Sequence, residues 1–196
     1  MDKQKIFISS VQKEFKAERL ALREYITHDP LFSRYFEVFL FEDVPARDRD
    51  PNSIYLAEVR ACGLFICLVG NEYGAKNDRG VSATEQEYCE ATEHGKTRLL
   101  FIKDGNDSDR HRKTRRFVRK AASEIVRRRF ANTSELIAQV YAALVQYLED
   151  EGILQTDPFD AAVCRNARFS DIDGTNISSF LESARDERKF PLPKNT

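Results

Sequence analysis

The sequence has no tryptophan, one methionine and three histidines, and it has no apolar run long enough to span a membrane. His28, His94 and His111 are scattered, with no partner at metal-ligand spacing, so we predict no metal site. The four cysteines also lack such spacing, and we expect them to be reduced and mostly buried. The N-terminus does not lead into a signal-peptide core. These absences predict a cytoplasmic protein with no membrane partner.

Charged residues are numerous and nearly balanced, with 31 Lys and Arg against 32 Asp and Glu. Hydrophobic residues make up 41% of the chain, which is typical of a globular protein and not of a disordered one. A chain of 196 residues has room for one full α/β domain and an appendage.

Short apolar segments alternate with segments of helical periodicity along most of the chain. The apolar segments, which we predict to be strands, are Lys5–Val11, Phe36–Phe41, Leu64–Val69 and Arg98–Ile102. Val126–Phe130 is a candidate basic edge strand, and a last helix follows it and ends near Gly152. The alternation predicts a parallel sheet of about five strands with helices on both faces over residues 1–152. Residues 153–196 are predicted to be a C-terminal extension.

The segment from Gly80 to Lys96 carries the most specific local pattern. Ser82 followed by Glu85 is a capping box, in which each side chain satisfies an unpaired N–H of the first helical turn. Glu87 lies about 200° around the helix from Glu85, so the two carboxylates face different directions. We therefore expect Glu87 to lie near the carboxyl edge of the sheet, where open α/β folds bind ligands.

Other polar and aromatic residues follow the predicted strands at the same edge. Ser9 and Ser10 precede a helix, where they could meet a phosphate or ribose, or one of them could only cap the helix. Asp43 could accept a hydrogen bond from a ribose hydroxyl or be a turn carboxylate. Tyr73 could stack on a ligand ring or pack against the rim of the sheet.

Several of these segments together resemble a bacterial TIR-like family. They are Lys5-Ile-Phe-Ile-Ser-Ser10, Glu14-Phe15 with Glu18-Arg19, Gly70-Asn-Glu-Tyr-Gly74, and Ser82-Ala-Thr-Glu-Gln-Glu-Tyr88 with Ala91 and Gly95-Lys96. That family is related to TIR domains and, more distantly, to nucleoside deoxyribosyltransferase-like folds. The resemblance spans residues 4–150 and implies a flavodoxin-like α/β domain.

The resemblance implies three alternative functions. Many TIR domains cleave NAD at the nicotinamide–ribose bond with a glutamate on the third helix, which implies an NAD glycohydrolase in a bacterial antiphage defence or signalling protein. Other TIR domains only self-associate or bind partners, so a non-catalytic interaction and oligomerisation module is the alternative. Hydrolysis of another nucleoside or nucleotide is the third. NAD would be a substrate, and no cofactor is expected.

The resemblance also assigns candidate site residues. In the deoxyribosyltransferase-like pattern the catalytic glutamate lies four residues before an alanine, and Gly-Lys follows four residues later. Glu87, Ala91 and Gly95-Lys96 keep this spacing, which favours Glu87 over Glu85 as the catalytic residue. The residues expected to bind substrate are Ser9, Ser10, Asp43, Tyr73, Gly74 and Glu85. TIR enzymes commonly carry a Trp-Cys pair just before the glutamate, and this chain does not.

Three segments are candidates for partner binding. By resemblance to TIR domains, the 45–52 loop is expected to mediate self-association. Arg110–Arg129 holds ten Lys or Arg residues and one acid, Glu124, and could bind nucleic acid, although a solvated face or a dock for an acidic domain is favoured. The tail from Asp171 to Thr196 is similar to a segment that precedes a winged-helix part in bacterial regulators. It therefore predicts a further C-terminal domain.

Overall fold

The computed structural model describes residues 2–43, 48 and 50–154. This part of the chain forms five strands and six helices, with one or two helices after each strand. In order they are β1 (Gln4–Ser9), α1 (Gln12–His28), α2 (Phe32–Tyr35), β2 (Phe36–Phe39), α3 (Pro51–Ala61), β3 (Leu64–Val69), α4 (Ala83–Glu93), β4 (Thr97–Lys103), α5 (Arg112–Glu124), β5 (Arg127–Phe130) and α6 (Thr133–Asp150). A short 3-10 turn, Phe41–Asp43, follows β2.

The five strands form one parallel sheet in the order β2-β1-β3-β4-β5. The predicted α/β class and parallel sheet are therefore confirmed, and this strand order is the flavodoxin-like one. From β1 the chain adds β2 on one side and then β3 on the other, so the direction of winding reverses between β1 and β3. Ser9 and Cys67 are paired at the carboxyl end of this junction. Ligands bind at such reversal points in open α/β sheets.

Helices cover both faces of the sheet because the inner strands are apolar on both sides. All six residues of β3 are buried. On one face, side chains from β1, β3 and β4 pack with α3, α4 and α5 in one cluster that includes Phe7, Val59, Phe65, Tyr88, Leu100 and Phe117. On the other face, Phe15 of α1 packs near Phe130 of β5, with ring centroids 6.3 Å apart. Phe32 packs on Tyr141 of α6 at 5.4 Å.

The chain divides into two units, Met1–Val145 and Gln146–Thr196. In the second unit the structure describes 146–154, where α6 ends and a short turn follows. The predicted extension lies outside the described residues from position 155 onward. Among the helices that are described, none is long and apolar enough to cross a membrane.

Two side chains fix the loop that joins β3 to α4. The Glu14 carboxylate accepts hydrogen bonds from the backbone N–H groups of Asn71, at 2.6 Å, and Glu72, at 3.1 Å. Arg110 is only 2% exposed and donates to the backbone oxygens of Gly70, at 2.6 Å, and Lys103, at 2.5 Å. Arg110 thereby ties the β3–α4 loop to the β4–α5 loop, and it is not part of an exposed basic face.

Replacing Arg110 with Met is expected to destabilise the protein by about 2–5 kcal/mol, because one buried and one partly buried carbonyl lose a charged donor. Urea unfolding measures the change in the free energy of unfolding. Arg112→Met is the matched control, since Arg112 is exposed and its side chain bonds to no described residue. Equal stability of the two variants would contradict the role given to Arg110.

Candidate functional site

A cavity of about 290 Å³ lies at the carboxyl edge of the sheet, at the junction of β1 and β3. The end of β1, the first turn of α1 and the start of α4 form its walls, and the β3–α4 loop closes one side. The lining residues include Phe7, Ile8, Ser10, Val11, Lys13, Arg19, Phe41, Tyr55, Tyr73, Gly74, Ser82, Thr84 and Glu87. A cavity thus lies at the edge of the sheet where the sequence predicts a ligand site, and the site itself stays a prediction.

Glu87 is the acidic residue among the described residues that line this cavity. It lies in the second turn of α4, lines the cavity and is 6% exposed. Its Oε2 accepts a hydrogen bond from the Ser9 hydroxyl at 2.5 Å. Within the described part of the chain, no cation lies within ion-pair distance of Glu87. The Ser9 hydroxyl is the hydrogen-bond donor that this buried carboxyl group has there.

Burial raises the pKa of Glu87 to about 7, while the Ser9 hydrogen bond and the charge of Arg19 act in the opposite direction. The protonated and ionised forms are therefore both populated near neutral pH. A titration range of this kind suits a group that takes part in acid, base or electrostatic catalysis.

Arg19 contributes charge to the cavity without pairing with Glu87. It is 2% exposed, and it makes two hydrogen bonds to the Glu42 carboxylate, at 2.9 and 2.7 Å. It also donates to the backbone oxygen of Ile8 at 2.6 Å and to the Ser10 hydroxyl at 3.3 Å. Its guanidinium is thus held in place, and most of its charge is balanced by Glu42.

The two serines have different positions, and neither caps α1. The N-cap residue is Val11, and no side chain bonds to the first turn there, so the capping interpretation is wrong. Ser9 is 1% exposed and bonds to Glu87 without lining the cavity. Ser10 lines the cavity and is the one of the two that a ligand can reach.

The start of α4 confirms one half of the predicted capping box. The Ser82 hydroxyl accepts a hydrogen bond from the N–H of Glu85 at 3.3 Å. The Glu85 carboxylate accepts a hydrogen bond from the Tyr73 hydroxyl and does not close the box. Glu85 is not among the residues that line the cavity, and it acts on the site through Tyr73.

Tyr73 and Gly74 reach the cavity from the β3–α4 loop. The Tyr73 ring stacks on His111, with centroids 5.5 Å apart and planes 15° apart, so one of its faces is occupied by protein. Gly74 has φ +79°, and a Cβ there would lie 3.2 Å from a methyl group of Val11. The position therefore requires glycine on both backbone and packing grounds.

Two sequence predictions fall where the structure describes little. Asp43 ends the 3-10 turn after β2, and its side chain is outside the described residues. In the predicted self-association loop, positions 45–47 and 49 are also outside them. Both assignments stay predictions.

Two aromatic residues that no sequence pattern singled out form part of the cavity wall. Phe41 and Tyr55 both line the cavity, with ring centroids 3.9 Å apart. Tyr55 belongs to α3 and Phe41 to the turn after β2, so only the fold brings them together. Among the described residues, no group of three His, Cys, Asp or Glu could hold a metal ion.

Residues 5–145 match the profile of a domain of unknown function, DUF4062, and the chain belongs to that family. A comparison with curated proteins finds no match. Among solved structures, the chain is similar to the Clostridium botulinum CMP N-glycosidase BcmB, with 13% identity and a TM-score of 0.47 over 71% of this chain and 99% of that one. The family thus assigns no activity, and the TIR-like resemblance stays a prediction.

The buried carboxyl group predicts a specific pH dependence of stability. Folding raises the pKa of Glu87 from 4.5 to about 7, so between these values the folded state holds a proton that the unfolded state has lost. Proton binding by Glu87 therefore adds to the stability of the folded wild type. The added stability is fully present below pH 4.5 and is lost as the pH rises to about 7. Glu87→Gln does not ionise. The free energy of unfolding of Glu87→Gln, compared with that of the wild type, is therefore expected to be up to about 3 kcal/mol higher at pH 8 than at pH 4.

Urea unfolding of both proteins from pH 4 to pH 9 measures this difference. Glu93→Gln, an exposed position on the same helix, is the control and is expected to follow the wild type. A constant difference between wild type and Glu87→Gln across the pH range would show that folding does not shift the pKa of Glu87.

Proposed function

We propose that this DUF4062 protein hydrolyses the N-glycosidic bond of a nucleotide and that Glu87 is its catalytic carboxylate. The observation that carries the proposal is a buried carboxyl group that lines a cavity at the sheet reversal point and is held by Ser9, with no cationic partner among the described residues. A structural glutamate buried to this degree is normally paired with a cation. Retaining an unpaired one beside a cavity is typical of a functional site.

The chemistry requires little more than this group. When the bond between the sugar C1′ and the base nitrogen breaks, its electron pair leaves with the base and positive charge develops on the sugar. An adjacent carboxylate stabilises that charge, or forms a bond to C1′ that water then hydrolyses. The low dielectric around a buried carboxylate strengthens its interaction with the developing charge. Ser9 would hold the carboxylate in one orientation.

NAD is the substrate that best fits the lining of the cavity. Its nicotinamide is cationic before cleavage and leaves as a neutral molecule, so no acid has to protonate the leaving group. Among the described residues that line the cavity, Glu87 is the one carboxylic acid, and none is a histidine. A lining with one carboxyl group in its described part suits a substrate that needs no separate general acid.

The size of the cavity also constrains how a dinucleotide would bind. A volume of about 290 Å³ is just below the range for ligand pockets, roughly 300–1,000 Å³. This is room for a base and its ribose but not for a whole dinucleotide. Phe41 and Tyr55 would contact the base, and the pyrophosphate would lie at the mouth beside Lys13, whose side chain is 85% exposed.

A nucleoside with a neutral base is the second candidate, and the titration of Glu87 favours it. With a pKa of about 7, a large fraction of Glu87 is protonated at neutral pH. The protonated form could give its proton to a departing base, which a neutral leaving group needs. The two candidates therefore use opposite protonation states of one residue.

Glu87→Gln is expected to lower kcat for NAD hydrolysis about 10²–10³-fold, because the amide keeps the shape of the side chain but cannot carry negative charge. Activity is measured as nicotinamide release from NAD and as base release from a panel of nucleosides and nucleotides. The protein concentration is kept high so that assembly does not limit the rate. Glu93→Gln is expected to retain wild-type activity.

Full activity of Glu87→Gln would remove this residue from the mechanism. If the wild type turned over no compound of the panel, the proposal of an enzyme would be wrong and a non-catalytic interaction module would be the better account.

The pH dependence of kcat/KM separates the two candidate substrates. If Glu87 acts as a carboxylate on NAD, kcat/KM rises with pH and levels off above about pH 7, because the ionised form is the active one. If Glu87 acts as an acid on a neutral base, kcat/KM is highest below that pH and falls above it. The initial rate from pH 5 to pH 9 measures this, and a flat profile would argue against either role.

A further inference from the structure

The structure divides the basic segment Arg110–Arg129 into parts with different roles. Arg110 is buried in the loop connection described above, and Arg129 lies 3.8 Å from Asp104 and 3.5 Å from Asp107. The cations of α5 are different. Arg112, Lys113, Arg115, Arg116 and Arg119 line one surface depression of about 680 Å³. We call these five residues the α5 basic surface.

The arginines of the α5 basic surface have no counterions in the described part of the chain. None of the four forms an ion pair or a side-chain hydrogen bond with a described residue. The one acid on the helix, Glu124, lies at its C-terminal end and binds Arg98 at 2.7 Å. The arginines are spaced three and four residues apart, so they are neighbours on the helix and repel one another. An external polyanion would remove this repulsion.

We propose that the α5 basic surface binds the phosphate backbone of a duplex nucleic acid. Guanidinium groups bind phosphate oxygens in a two-pronged geometry. From Arg112 to Arg119 the helix rises about 10 Å, which matches roughly three phosphates along one DNA strand. Phosphate contacts do not depend on base identity, so the binding is expected to be independent of sequence.

The composition of the surface favours nucleic acid over an acidic protein. Protein interfaces depend on buried apolar or aromatic anchors. The exposed large apolar residues among those described are Leu20, Val126 and Tyr141, and none of them belongs to α5. The same absence of aromatic side chains disfavours single strands, whose bases stack on aromatic rings.

The test variant has to leave Lys113 unchanged, because this residue also supports the candidate site. Its Nζ donates to the backbone oxygen of Gly80 at 2.5 Å and lies 5.5 Å from the centroid of the Tyr73 ring. Arg115 and Arg116 have no such contacts with described residues. The double variant Arg115→Ala with Arg116→Ala therefore changes the α5 basic surface alone, and its result is independent of the proposed enzymatic activity.

Fluorescence anisotropy of the full 196-residue chain with a labelled DNA duplex of arbitrary sequence is the measurement. The wild type is expected to bind at low salt, with an affinity that falls as the salt concentration rises. The double alanine variant is expected to bind about tenfold more weakly or worse, and the slope of log K against log salt concentration is expected to shrink by about 2.

Two further variants act as controls. Lys3→Ala with Arg34→Ala removes the same charge from exposed positions outside the α5 basic surface, and it is expected to change affinity by no more than about twofold. Arg115→Lys with Arg116→Lys keeps the charge and is expected to keep most of the affinity. Circular dichroism checks that every variant is folded.

Three results would overturn the proposal. The first is a wild type that does not bind the duplex at low salt. The second is a folded double alanine variant that binds as tightly as the wild type. The third is equal or tighter binding of poly-glutamate of the same charge, which would identify an acidic protein segment as the partner.

Discussion

The hydrogen bond between Ser9 and Glu87 joins the two elements on which the candidate site depends. Ser9 is the last residue of β1, and Glu87 lies in the second turn of α4, so the bond crosses the reversal point of the sheet. Burial opposes the charge of the carboxyl group, and a single hydroxyl is a weak compensation for it. The surrounding core must therefore supply the stability that this residue removes. The fully buried strand β3 and the packed aromatic side chains on both faces of the sheet provide it.

The cavity wall formed by the β3–α4 loop is held by contacts that have no part in the chemistry. Glu14 accepts two backbone N–H groups of the β3–α4 loop, and Arg110 binds the same loop through the oxygen of Gly70. A Cβ at Gly70 would lie 2.1 Å from a Glu14 carboxylate oxygen, so the close approach depends on glycine there. Tyr73 and Gly74 therefore enter the cavity from a fixed loop, which is the rigid support that a binding site requires.

The sequence predicted those features that depend on local pattern. Apolar runs indicated the strands, and their alternation with helices gave the parallel sheet. Glu87 was placed at the carboxyl edge by helical geometry, and it lines the cavity. The partner of Ser9 could not be predicted, because it depends on the packing of α4 against β1. The contact of Phe41 with Tyr55 depends in the same way on two elements that meet only in the folded protein.

Arginine shows most clearly why position outweighs residue type in this protein. Arg19 and Arg110 are buried and bind backbone oxygens, so their side chains stabilise the segments that form the site. Arg115 and Arg116 belong to the same basic segment of the sequence as Arg110, yet their side chains have no partner among the described residues. An arginine without an internal partner has lost little hydration and keeps its charge available to other molecules. The net charge of −1 conceals this division, because charges used inside the fold and charges left on α5 contribute equally to the sum.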